Sequence, residues 1–237
     1  MKSINKLLES SSVAAIGLLW LANAVSAMTI VPTNDGTALV DNILGSGINI
    51  IPGSISYTGA PAASGIFTDG LSAGLGIDRG IILTTGSAVN ALGPNNTTAK
   101  ETVNGLAGDA DLNGLVPGLT TSDATALSFD FESDGGDLFF NYVFASEEYN
   151  EFVGSQFNDV FGFFLDGQNI ALLPDGTTPV AINTVNQSTN SGFFVNNFPP
   201  SFNIQYDGFT TVLTAKFIGL APGQHTLKLA IGDSTDF

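Results

Sequence analysis

Residues 125–132 (TALSFDFE) alternate cleanly, with Leu127, Phe129 and Phe131 on one side and Ser128, Asp130 and Glu132 on the other. A period of two is that of a strand buried on one face. Residues 224–231 (QHTLKLAI) repeat it and place His225, Leu227, Leu229 and Ile231 together. Residues 137–145 (DLFFNYVFA) and 160–165 (VFGFFL) are instead apolar on both faces, which predicts central strands covered by two layers. Further strands are expected over 48–58, 80–85, 170–173, 180–185 and 210–218. Helical periodicity is confined to residues 37–44, with Gly45 as a stop. The short apolar runs are punctuated by 28 glycines and 10 prolines. That pattern predicts an all-β fold, a jelly-roll-like β-sandwich with one short N-terminal helix. A single domain over residues 28–237 is the simplest division.

The N-terminus has a different pattern. Lys2 and Lys6 precede an apolar stretch at 13–25, and Ala-Val-Ser-Ala at 24–27 puts small residues before a cut after Ala27. That order describes a signal peptide over residues 1–27; the apolar stretch is too short to span a bilayer comfortably. An uncleaved anchor is the alternative. The expected localisation is secreted or cell-surface.

Charge narrows the partners. The chain has 22 acidic against 6 basic residues and a net charge of −16. Nucleic acids and anionic membrane surfaces both require basic patches, so neither is an expected partner. The 43% of hydrophobic residues argue against disorder. With no cysteine, an exported chain must draw its stability from core, strand pairing or bound ions.

Between Lys100 and Lys216 there is no lysine or arginine, while acidic residues accumulate. Carboxylates buried there protonate, stay wet or hold a cation, and calcium is the expected exported hard cation. A solvated acidic face is the alternative. Asp109-Ala-Asp111-Leu-Asn113-Gly114 matches the first half of an EF-hand loop, but position twelve is Thr120 and no flanking helices are predicted. Ser146-Glu147-Glu148-Tyr149-Asn150-Glu151, followed by Asn158-Asp159, lies between the two most apolar strands. The candidate metal ligands are therefore Asp109, Asp111, Asn113, Glu147, Glu148 and Asp159, with Asp233 and Asp236 as weaker additions. Their convergence is not a matter the local pattern decides.

Catalytic readings are weaker. A glycosidase needs two carboxyls across an aromatic-lined cleft, and Trp20, the one tryptophan, lies in the signal segment. Gly70-Leu-Ser72-Ala-Gly74 fits a nucleophile elbow without the strand and helix that the motif requires, and His225 is the one histidine. One histidine and no cysteine exclude zinc and thiol chemistry on ligand count. No catalytic residue is expected.

The segments GIILTTG (80–86), Gly93-Pro94-Asn95, Asp123-Ala124 and YVFASEEYNEFVGSQFNDVFGFFL (142–165), followed by VAINTVN (180–186), resemble the bacterial choice-of-anchor L domain. The resemblance runs from about Ala38 onward, and its long central block is the specific part. It implies an exported protein whose domain precedes one of several C-terminal sorting signals, PEP-CTERM among them. It also implies a closing strand and an anchor beyond Phe237, so the chain is expected to be truncated there. Any membrane association would run through that anchor. The leading expectation is a non-enzymatic, calcium-stabilised module of the cell surface or extracellular matrix, with a structural or adhesive role and surface, matrix or glycan partners. The alternative is a calcium-dependent lectin-like domain using Tyr149 or Phe152 as its sugar-facing surface. A glycoside hydrolase comes third.

Overall fold

A computed structural model of the chain describes residues 27–45 and 47–235. The signal segment before Ala27, and Asp236, lie outside the described residues.

The chain begins with strand β1 (Thr29–Pro32) and helix α1 (Gly36–Ile43), then β2 (Ile48–Ile50), β3 (Ser56–Thr58) and β4 (Ser64–Thr68). A helical turn, α2 (Gly70–Ala73), separates β4 from β5 (Gly80–Leu83). A second turn, α3 (Ala110–Asn113), leads to β6 (Thr121–Ser133), β7 (Gly136–Tyr142) and β8 (Ala145–Ser146). Then come β9 (Val160–Leu165), β10 (Gln168–Asn169), β11 (Val180–Ala181) and β12 (Phe194–Asn196). Strands β13 (Gly208–Thr210), β14 (Leu213–Leu220) and β15 (Gly223–Ser234) follow.

The main sheet runs β10-β9-β15-β6-β2, with β11 also on β9 and β3 also on β6. Its centre is the long antiparallel ladder of β6 and β15, where Leu127 faces Leu229 and Phe129 faces Leu227. Leu127, Phe129, Phe131, Leu227 and Leu229 are buried, as their alternation predicts. Each such side chain contributes about 2 kcal/mol on burial. Three smaller ladders surround this sheet: β1-β4-β5, β12-β13-β8 and β14-β7. One continuous core joins the main sheet to Tyr142 of β7 and to Leu213 and Ala215 of β14, so the fold is all-β and sandwich-like. Leu39 and Val40 of α1 join the same core; Asp35 starts that helix by accepting from the amides of Thr37 and Ala38.

Several strand expectations change. β9 is central, between β15 and the pair β10 and β11. β7, with a similar apolar pattern, pairs with β14 alone among the described residues. Phe140 stacks on Phe163 at 4.8 Å, whereas Phe139 is 58% exposed. Two apolar faces thus mark a strand with a cleft on one side, not a sheet centre. The strand expected over 48–58 is split between β2 and β3, at Pro52 and Gly53, the latter at φ 80. Residues 170–173 contribute one isolated bridge, Leu172 with Pro179, instead of a strand.

Candidate functional site

The acidic residues singled out from the sequence separate into two places. At the first, α3 is short because it is a capped turn: Asp109 Oδ1 accepts from the amides of Asp111 at 3.0 Å and Leu112 at 3.3 Å. Asn113 Oδ1 accepts from the Thr121 amide and hydroxyl, at 2.7 and 2.8 Å. The remaining charge is met by Lys228, whose Nζ lies 2.6 Å from Asp109 Oδ2 and 2.7 Å from Asp111 Oδ2. Burial lowers the affinity of Lys228 for its proton, but the hydrogen bonds from the two aspartates overcome that and hold it above its ordinary range. The oxygens expected to wrap calcium here are engaged by an ammonium group, a helix cap and a threonine.

At the second place, a cleft of about 700 Å3 includes Glu147, Glu148, Asp159 and Asp233 in its lining. Its floor comes from the main sheet, through Phe161 of β9 and Leu229 and Ile231 of β15. Its sides are β5 and residues 139–142 of β7. Ser146 organises the acidic end: its hydroxyl donates to Asp159 Oδ2 at 3.0 Å and accepts from the Glu148 amide at 3.0 Å. Asp159 Oδ1 accepts from the Ser234 amide at 3.4 Å, which ties the end of β15 to β8. Tyr149 anchors the loop after β8 from within the core, donating its hydroxyl to the Val185 carbonyl at 2.6 Å.

The partner that sequence reasoning missed is Asp207. Strand β13 pairs antiparallel with β8, Gly208 facing Ser146. One step beyond that ladder the register sets Asp207 opposite Glu147, two carboxyls on facing strands. Asp207 is fully buried, and its Oδ1 accepts from Asn95 Nδ2. Both Glu147 oxygens and Asp207 Oδ2 are buried without a hydrogen bond of normal geometry. Burial first, and then the Asp207 charge, push Glu147 up to about 8; the nearby Gln205 side chain offsets this only in part. Burial likewise raises Asp207, against the Asn95 hydrogen bond. Glu147 therefore holds its proton more tightly than an ordinary carboxyl. Asp207 is isolated in a Tyr-Asp-Gly-Phe stretch, and only its cross-strand register reveals the pairing.

Among the described residues, no three acidic or histidine side chains gather closely enough to hold a metal ion. The seven candidate ligands among the described residues divide between the two places: Asp109, Asp111 and Asn113 sit with Lys228, while Glu147, Glu148, Asp159 and Asp233 line the cleft. His225 engages both ring nitrogens, with Asp166 at 2.7 Å and the Ala221 carbonyl at 2.9 Å. Ser72 is exposed on α2. The two proposed sugar-facing aromatics also divide. Tyr149 is core, and Phe152 is 41% exposed at the cleft, edge-on to Phe157 at 5.0 Å.

The family model described as Choice-of-anchor L domain matches residues 27–237. The chain belongs to the choice-of-anchor L family. Membership extends over the cleft and both acidic places, and it identifies an exported, surface-associated module. No curated protein and no solved structure matches this choice-of-anchor L chain.

Proposed function

We propose that this choice-of-anchor L chain is a non-enzymatic adhesive module of the cell surface or extracellular matrix, and that its ligand enters the cleft. The observation that carries this reading is the cleft itself. Its volume suits a ligand site, and it combines an apolar floor with a few polar groups at one end. An adhesive role needs no more than such a surface on an exported scaffold.

The carboxyl geometry supports binding over hydrolysis. A glycosidase places its two carboxyls on opposite sides of the sugar. Here the facing pair is Glu147 and Asp207, whose unsatisfied oxygens are sealed from solvent instead of opening on a cleft. Calcium gains no support from the donor set, because no group of three gathers among the described residues.

A lectin-like reading is the second choice, favoured by one observation. Phe152 is exposed beside the acidic end of the cleft and could stack on a sugar, although Tyr149 could not.

The test is to immobilise the domain and measure binding to a panel of matrix polysaccharides and extracellular proteins, for wild type and Ile231→Trp, which fills the cleft floor. Binding that falls at least about tenfold in the filled variant is expected, with Leu71→Ser, on exposed α2, as a neutral control. Equal binding by the filled variant overturns the cleft as the site. Turnover of a chromogenic glycoside that is lost in Glu148→Gln overturns the non-enzymatic reading.

A further inference from the structure

We propose that the cleft is a strand-acceptor slot, which takes an extended segment of another exported polypeptide between β5 and β7. This rests on the cleft being the ligand site and names the class of ligand.

The first observation is the pairing. β5 is the last strand of its ladder, and β7 pairs only with β14 among the described residues. Each therefore has one edge whose backbone donors and acceptors have no strand opposite. Such edges are ordinarily shielded or charged. These two border the same cleft.

The second observation is which residues line it. From β15 they are Leu229, Ile231 and Asp233, every second residue, as when a strand turns its face to a space. From β5 they are all four residues, and from β7 four consecutive ones, 139–142. Consecutive lining is the mark of a strand presenting its edge. A segment laid between them would have a side-chain face on the apolar floor and a backbone edge on either side.

The third observation is two polar groups without partners. Tyr142, at the end of β7, and Thr84, just after β5, are 6% and 5% exposed, and both line the cleft. Neither the Tyr142 hydroxyl nor the Thr84 hydroxyl finds a hydrogen bond. Buried hydroxyls are rarely left so, and a peptide backbone passing between them offers both a donor and an acceptor. A lipid chain would offer neither.

Charge completes the description of the partner. The lining holds Glu101, Glu147, Glu148, Asp159 and Asp233 against Arg79 and Lys100, so acids outnumber bases there, and the chain as a whole carries −16. The matching segment is extended, alternates apolar residues toward the floor and carries a lysine or arginine at its acidic end. Once in place it would join β1-β4-β5 to β7-β14 as one layer over the main sheet. This is recognition by strand addition, in which backbone pairing supplies affinity and alternate side chains supply selectivity.

The probe is a fluorescent peptide of alternating valine and threonine with one terminal lysine, followed by anisotropy and by amide hydrogen exchange. Binding with new protection of amides 80–83 and 139–142 is expected. The same peptide N-methylated at alternate residues should bind at least about tenfold more weakly, since it cannot donate to either edge. Exchanging its lysine for glutamate should weaken it as well. Equal binding of the N-methylated peptide overturns the proposal, as does binding without protection of those amides or no binding at millimolar peptide. Protection of both edges in the free protein, by its own chain or by a second copy, also overturns it. If polysaccharides bind in an Ile231-dependent way and the peptide does not, the strand slot falls while the cleft as ligand site stands.

Discussion

The two acidic places of this module look alike in sequence and are handled in opposite ways. At α3, two aspartates that could repel each other share one ammonium group, Lys228, brought from the centre of the main sheet by β15. Beside the cleft, Glu147 faces the buried Asp207, with an amide on one oxygen of the pair and no hydrogen bond to the others. The first place is met by a cation, while at the second burial favours a proton on Glu147. Asp123 shows a third solution, being fully buried with its carboxylate accepting from the backbone amides of Asn104 and Leu106. The difference teaches that an acidic cluster does not by itself indicate a metal. The deciding quantity is which donor the fold delivers, and from how far along the chain.

The sharpest way to break the comparison is to remove the cation from the neutralised end. Lys228→Met should cost about 2 kcal/mol in denaturant unfolding, less than a fully buried pair because Asp111 is half exposed. Adding Asp109→Asn and Asp111→Asn to that variant should recover most of the loss, since asparagine keeps the cap of α3. A triple variant no more stable than Lys228→Met would mean that the lysine acts through its packing on Phe164, 5.7 Å from the ring centre, and not through charge.

The cleft end should respond with the opposite sign. The folded protein holds the Glu147 proton more tightly than the unfolded chain, so this group favours folding below its ordinary 4.5 and that contribution is lost as pH rises to about 8. Glu147→Gln should therefore stabilise the protein above pH 8, by on the order of 1 kcal/mol once solvent screening is allowed for, and change little at pH 4. Thermal melts across that range check it, and a uniform destabilisation would contradict it. The smallest effect concerns calcium. Melts in EDTA and in excess calcium should coincide, whereas a filled site would raise stability by a few kcal/mol.

How much of this was legible in the sequence follows from the range of each interaction. Alternation within β6 and β15 is local, and both strands and their buried faces could be read directly. The start of α1 at Asp35 is equally local. β7 reads as a central strand because hydrophobicity does not distinguish a face covered by a sheet from one bordering a cleft. The 109–114 turn was visible, but its cation lies 119 residues beyond Asp109. The loop after β8 could be placed at the edge of the core, yet Asp207 enters only through the register of β13 on β8. Local pattern finds elements; distant pairing decides what their charges do.

The central claim is that Glu147 at the cleft and Asp207 behind it form a buried carboxyl pair, whose Glu147 member binds its proton well above the ordinary range. Side-chain carboxyl carbon NMR of the folded domain, assigned with Glu147→Gln, measures it most directly. A Glu147 titration with its midpoint near 8 is the expected result. A midpoint near the ordinary 4.5 would contradict the claim and would mean that a cation or a donor meets the pair in solution.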